Sequence, residues 1–407
     1  MTQGAAASGK SGPLKGIRVV DLTLALMGPY CAQILCDLGA DVVKVESAEG
    51  DTTRYLGPAR APGHGGMFIN LNRGKRSIVL DLKEARGREA LLRLVDRADV
   101  FLHSMRPSAM ERLGLGYAAL AARNPRLVYL NMYGYGRRGP YAGRPAYDDV
   151  IQAMSGAAML QTELAGGEPS YVATVVADKV GGLTGAYAIM AALYERERSG
   201  QGQEIEVPMF ETMTAFLFAE HSVGGIYDPP VGRPVYRRAV QADRRPYRTA
   251  DGYISVLIYN DRHWKRFFDL LGNPEWSRDP RFASMQSRSE HIDHVLTQIS
   301  AVFASDSTAA WLEKLERAEI PAAPLLTTEQ LMRDPHLEAV GFWHSCADED
   351  GPMRLAGIPT GFSRTPGAIS GPAPKLGADG RAVLAEAGFA AEEIEALAAD
   401  GVLGGDR

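Results

Sequence analysis

A carboxylate stands at Asp178, in Ala-Asp-Lys-Val-Gly-Gly, directly ahead of a long run of small and apolar residues that ends in charge. From Lys179 the run reads as one helix, with Gly200 as its stop. Asp178 is then expected at or near the N-cap, where its oxygens accept helix N–H groups and the dipole favours the charged form. An ionised carboxylate at such a place can attack an activated carbonyl. It can equally do no more than cap the helix, and position alone favours the cap. Gly181 and Gly182 leave no side chains beside it, so an extended substrate arm could come close.

Gly134, Gly136 and Gly139 spell the G-x-G-x-x-G dinucleotide motif, which holds a pyrophosphate only where a helix starts at once. Here Pro140 and a turn-rich Tyr-Ala-Gly-Arg-Pro follow, and no acidic residue stands at the expected distance. The reading is a mobile, arginine-tipped loop. Cys31, Cys36 and Cys346 show no metal-type spacing and read as buried, reduced thiols. His291 and His294 read as a solvated helix face, so no metal is expected.

The elements that must position these residues alternate. Runs rich in Val, Ile and Leu at 17–23, 40–46, 77–83, 98–104 and 126–134 suit strands buried on both faces. Helical segments lie between them, one running from Pro29 to Gly39. Strand–helix alternation implies a parallel α/β sheet. From about Asp228 a Pro- and Arg-rich stretch leads into a smaller α/β lobe, and the chain ends in two short amphipathic helices joined near Gly388. With 407 residues, 45% of them hydrophobic, there is material for two lobes. A net charge of −5 gives no reason to expect a nucleic-acid partner. No apolar run is long enough to cross a membrane, and residues 1–13 read as a flexible tail.

The ordered series Leu-Lys-Gly-Ile-Arg-Val-Val-Asp-Leu-Thr from Leu14, Asn-Leu-Asn-Arg-Gly-Lys-Arg-Ser from Asn70, Arg-Pro-Ser-Ala-Met-Glu-Arg-Leu-Gly from Arg106, Tyr-Asp-Asp-Val-Ile-Gln from Tyr147, and Ala-Asp-Lys-Val-Gly-Gly resembles the class III CoA-transferase family over nearly the whole chain. That family also contains 2-methylacyl-CoA racemases and epimerases. The resemblance implies a Rossmann-like large domain made of 14–225 and 326–407. It also implies a small domain over 226–325 and a homodimer of interlocked, ring-shaped chains in the cytoplasm. It makes Asp178 the nucleophile toward an acyl-CoA. Racemases of the family carry histidine at the position of Tyr147, working with the aspartate that matches Asp178. An ordinary phenol, with a pKa of about 10, is a poor base at neutral pH. Tyr147 beside Asp148 therefore argues for transfer.

For coenzyme A, the resemblance points to Leu24, Ala25 and Leu26 after the first strand and to Asn72, Arg73, Lys75 and Arg76 in the basic turn. It adds Met105, Arg106 and Arg112 after the fourth strand. Lys75 and Arg76 are the foremost phosphate candidates, Arg54 a weaker one, and backbone N–H groups at the helix start are expected to hold the oxyanion. Members acting on formyl-CoA have glutamine where Leu26 stands and a glycine-rich lid where this chain has residues 239–252, so an acid other than oxalate or formate is expected. The basic run Arg244, Arg245 and Arg248 suggests a dicarboxylic acid. The competing readings are an acyl-CoA racemase and a catalytically silent acyl-CoA-binding protein.

Overall fold

The structure, a computed structural model, describes residues 10–241 and 244–405. In chain order it contains β1 (Arg18–Leu22), α1 (Met27–Asp37), β2 (Asp41–Glu46), α2 (Gly66–Asn72), β3 (Arg76–Leu80), α3 (Ala85–Val95), β4 (Val100–His103), α4 (Pro107–Arg112), β5 (Val128–Tyr133), α5 (Asp148–Ser155), α6 (Val176–Ser199) and β6 (Glu204–Pro208). Then come β7 (Tyr247–Arg248), β8 (Tyr253–Val256), α7 (Asp261–Leu270), α8 (Ile292–Phe303), α9 (Thr308–Arg317) and β9 (Ala322–Pro324). The chain closes with β10 (Trp343–Asp348), β11 (Gly351–Ala356), α10 (Gly380–Glu386), α11 (Ala391–Ala399) and β12 (Leu403–Gly404). Its contacts divide it into two units. One is drawn from the chain up to Ser155, from Val172–Phe216 and from His336 onward; the other is Gly156–Tyr171 with Leu217–Pro335.

The first unit is built on a seven-stranded sheet in the order β12-β3-β2-β1-β4-β5-β6. The strands β1 to β6 run parallel, and only β12 is antiparallel, pairing Leu403 with Leu80. The expected α/β class with a parallel sheet is what forms. Ile78, Leu91, Phe101 and Tyr129 lie in one buried cluster that α10 and α11 help to close through Val383, Leu384 and Leu397. Strand order reverses between β1 and β4, and in such sheets ligands bind at the carboxyl ends of the strands beside that reversal. From Lys10 onward the N-terminal segment is docked, the Lys10 ammonium donating to the Ala40 carbonyl at 3.0 Å; residues 1–9 of the expected tail lie outside the described residues.

The second unit holds a three-stranded antiparallel sheet, β7-β8-β9, under α7, α8 and α9. Trp264, Phe267, Phe282, Phe303 and Trp311 fill its core, with rings at tilted and edge-on angles. Among the described residues, no helix is long and apolar enough to cross a membrane.

Helix α6 lies against α1 on a row of glycines. A Cβ at Gly181 would meet the Met27 methyl at 2.5 Å, and one at Gly182 the Met27 carbonyl oxygen at 2.8 Å and the Tyr30 ring at 2.9 Å. At Gly185 the nearest neighbours would be Met132, Cys31 and Leu130. Both Gly181 and Gly182 are buried. The expectation that they make room for a substrate arm is therefore corrected: they let two helices touch. Gly182 faces unyielding backbone, whereas the Met27 methyl facing Gly181 can swing away. We expect Gly182→Ala to destabilise the fold by about 1–3 kcal/mol. Gly181→Ala should cost less, since Ala also favours a helix by about 1 kcal/mol. Calorimetric melting of the two variants checks the order.

Candidate active site

Helix α6 begins at Val176, so Asp178 is its third residue and not its cap. The residue at the cap position, Val175, has no side chain that could accept an N–H. The helix end is satisfied from elsewhere. Asp148, the first residue of α5, sends Oδ1 to the N–H groups of Ala177 at 2.7 Å and Asp178 at 3.1 Å. Its Oδ2 accepts from the Gln152 amide at 2.6 Å, one turn along α5. The same amide reaches the Thr174 carbonyl at 3.3 Å, and Gln152 Oε1 accepts the Val172 N–H at 2.9 Å. Asp148 and Gln152 are buried and together clamp the segment that leads into α6. Gln152 escaped the sequence reading; its four-residue spacing from Asp148 on one helix face was the available signal.

This clamp reverses the expected electrostatics of Asp178. Burial pushes its carboxyl up to about 7, and the neighbouring Asp148 and Asp149 carboxylates push in the same direction. The helix dipole does not hold it ionised. The expected oxyanion donors are also engaged: the N–H groups of Ala177 and Asp178 bind Asp148, and that of Val176 binds the Thr174 carbonyl at 2.8 Å. Tyr147 stands just before α5 with 78% of its surface exposed.

The loop after β1 is held by buried ion pairs. The Lys44 ammonium meets Asp51 Oδ2 at 2.9 Å and donates to the Thr23 carbonyl at 2.8 Å, with both side chains fully buried. Asp51 Oδ1 in turn accepts the Ala25 N–H at 3.3 Å, and Ala25 takes a left-handed φ of 66°. Leu24 donates its N–H to Ser104 Oγ at 3.1 Å, across the point where strand order reverses, and its side chain is exposed. Leu26 is buried at the start of α1. Beyond β4, Met105 is half-buried, while Arg106 and Arg112 are exposed at either end of α4.

The basic turn behaves differently. Lys75 is buried, its ammonium donating to Asp21 Oδ2 at 3.1 Å, the Pro29 carbonyl at 3.0 Å and Asn72 Oδ1 at 2.9 Å. Burial pulls its pKa down, against the pull of Asp21. Arg73 binds Asp37 and the Ala356 carbonyl. Arg76, at the start of β3, is paired with Asp41 and Glu386. Arg54 makes a bidentate pair with Glu46 at 2.9 and 2.7 Å and lies over the Phe68 ring. Lys75, Arg73 and Arg54 spend their donors inside the protein, and Arg76, partly exposed, is engaged by two carboxylates that themselves reach the surface.

No helix follows Gly139, in keeping with the rejection of a dinucleotide site. The loop is pinned at its base: Glu211 accepts the Gly136 N–H at 3.0 Å and Glu206 the Arg137 N–H at 2.7 Å. In the second unit a cavity of about 490 Å³ is lined by Tyr236, Arg238, Arg244, Arg245, Tyr259 and Arg288 among others. Arg288 is occupied by Asp261 and the Phe282 carbonyl, while Arg244 is exposed. Arg248 is exposed on β7 and does not line this cavity.

Comparison with known proteins places these features in a family. The chain is 35% identical over 387 residues to a succinate–glutarate CoA-transferase of Agrobacterium fabrum, covering 92% of this chain and 95% of that protein. It is 36% identical over 388 residues to an acetyl-CoA:oxalate CoA-transferase of Acetobacter aceti, covering 94% and 97%. A crystal structure of a variant of Rv3272 from Mycobacterium tuberculosis superposes with a TM-score of 0.82 at 30% identity, over 92% of this chain and 99% of that one. The model of CoA-transferase family III matches residues 14–380, and the chain belongs to that family.

Proposed function

We propose that the protein moves CoA from an acyl-CoA donor to a carboxylic acid acceptor, with Asp178 as the nucleophile. The observation that carries this is a carboxyl poised near neutrality at the mouth of α6, beside a second carboxylate whose oxygens are fully engaged. An oxygen nucleophile with a raised pKa is more reactive once ionised, and at neutral pH a useful fraction is ionised. The Asp178 oxygen attacks the thioester carbonyl and the C–S bond breaks, giving an aspartyl–acyl anhydride and CoA thiolate. The thiolate attacks the aspartyl carbonyl, forming an aspartyl-CoA thioester and releasing the donor acid. The acceptor carboxylate attacks that thioester to give a second anhydride, and returning thiolate yields the new acyl-CoA and free Asp178. Activation is retained at every step, so the cycle needs no other energy source. A phenol at Tyr147 is a poor base at neutral pH, which favours transfer over racemisation.

CoA is assigned to the carboxyl-edge loops, where Leu24, Arg106 and Arg112 are exposed and Ala25 and Met105 are half-buried beside the strand reversal. Leu26 and Lys75, the latter with Asn72 and through Asp21 and the Pro29 carbonyl, brace that region from inside, whereas Arg73 and Arg76 sit on Asp37 and Asp41 toward the amino ends of the strands. The acceptor is assigned to the dicarboxylic acids. Both named relatives are CoA-transferases of such acids by name, succinate and glutarate for one and oxalate for the other. A basic cavity in the second unit suits a carboxylate. The enzyme is assigned to the cytoplasm as an interlocked homodimer, following its resemblance to the family.

Hydroxylamine added to enzyme turning over with an acyl-CoA should leave a hydroxamate at Asp178, located by peptide mass spectrometry. Full activity in Asp178→Ala would end the covalent reading. Deuterium entering the α-carbon without an acceptor acid would favour a racemase, and binding without any turnover a silent binder.

The raised pKa fixes the sign of two pH effects. The rate of thioester attack should climb about tenfold per pH unit below 7 and level off above it. Asp149→Asn, which removes an exposed repelling charge, should move that break to lower pH in pre-steady-state traces. For stability, the folded chain holds a proton on Asp178 that the unfolded chain releases near pH 4. Stability therefore falls as pH rises from about 4 to about 7, and Asp178→Asn should be the more stable protein at pH 8 by about 1–3 kcal/mol, with the gap closing at pH 4. Denaturant melts at the two pH values check this.

Arg244→Ala should raise KM for a dicarboxylic acceptor by about tenfold, the worth of one charge-assisted hydrogen bond, and leave a monocarboxylic acceptor unchanged. Equal effects on both would remove the cavity from the acid site.

A further inference from the structure

One histidine in the first unit has an environment that the transfer reaction does not use. His64 lies in the turn before α2 and is 6% exposed. Neither of its ring nitrogens has a hydrogen-bond partner. Its Nδ1 faces two carboxylates on the β10–β11 hairpin: Asp350 Oδ2 at 3.3 Å and Asp348 Oδ2 at 3.7 Å. Asp348 Oδ1 accepts the Asp350 N–H at 2.9 Å, which fixes the tight turn and leaves Oδ2 toward the histidine. The three ligand-type atoms lie within 4.8 Å of one another.

A buried imidazole without partners loses its hydration for nothing, so such a group requires something to bind. We propose that His64, Asp348 and Asp350 form a structural site for a divalent transition-metal cation, Zn²⁺ foremost. One imidazole with two carboxylates is a donor set that suits zinc, with solvent completing the shell. A cation about 2.0–2.1 Å from each donor spaces neighbouring donors by roughly 3.0–3.4 Å. Measured from the ring nitrogen, Asp350 already meets that spacing and Asp348 lies a few tenths of an ångström beyond it. Carboxylates that share a cation with a ring nitrogen also lie off its lone-pair axis, because the cation occupies that axis. That explains close oxygens without hydrogen-bond geometry. The ion would tie a hairpin near the C-terminal end to the turn ahead of α2, and no step of the transfer passes through it.

Full-length protein stripped with a chelator and titrated with Zn²⁺ in a calorimeter should take up one tight equivalent. Co²⁺ in its place should give the visible absorption of a low-coordinate N/O site. Asp350→Asn and His64→Gln should each weaken that equivalent by about 10-fold or more, and abolish the rise in melting temperature that Zn²⁺ gives the unaltered chain. Asp348→Asn supplies a further test if His64→Gln does not fold. No uptake at millimolar Zn²⁺, or uptake unchanged by Asp350→Asn, overturns the site. In that case His64 is the partner of a plain ion pair.

Discussion

The architecture around the candidate nucleophile turns on the Asp148 carboxylate. A helix that starts at Val176 exposes N–H groups its own sequence does not cap, because Val175 has nothing to offer them. Asp148 reaches from the start of a different helix and accepts two of them. Gln152 holds its other oxygen and, through Thr174 and Val172, the strand of chain entering α6. The cap is thus a tertiary contact, so the first turn of α6 gains it only when α5 is docked. The negative charge that closes the helix end is the same charge that disfavours ionisation at Asp178. Burial is the larger cause of that shift and Asp148 adds to it, so one group contributes both to local folding and to the reactivity of the site.

A second layer of buried charge does comparable work at the sheet edge. Lys44 and Lys75 lie inside the first unit with no exposed side-chain surface, each matched to an aspartate. Burial alone would push the Asp21 carboxyl up; Lys75, Lys44 and Thr23 overcome that and hold it below the usual carboxylate range. Such pairs contribute little net stability compared with an apolar core, but removing one partner strands a charge. Their effect is positional: Lys44 fixes Asp51, and Asp51 fixes the backbone of Ala25 at the end of β1.

The parallel strands were legible in the sequence because continuous Val, Ile and Leu runs are what a doubly covered sheet demands. The strand β12 was not, since two residues carry no period. The hairpin β10–β11 was missed because its half-exposed strands mix polar and apolar residues. Asp178 was found through resemblance, whereas its environment was misread: sequence distance hides a cap supplied thirty positions away. The basic turn misled for the opposite reason. Lys75 and Arg76 look like a surface cluster in one dimension, and only the fold shows the carboxylates that enclose them.

The crowding of carboxylates around Asp178 bears on which states of a covalent cycle are comfortable. Esterifying Asp178 deletes its charge, so every covalent state escapes the repulsion that the free carboxylate feels from Asp148 and Asp149. Protonation gives the free carboxyl the same relief, so the state that carries the repulsion is the ionised, unloaded one. If Asp178 carries cargo as proposed, the same crowding would make the loaded carboxyl easier to hold than the bare anion, and the more so as pH rises.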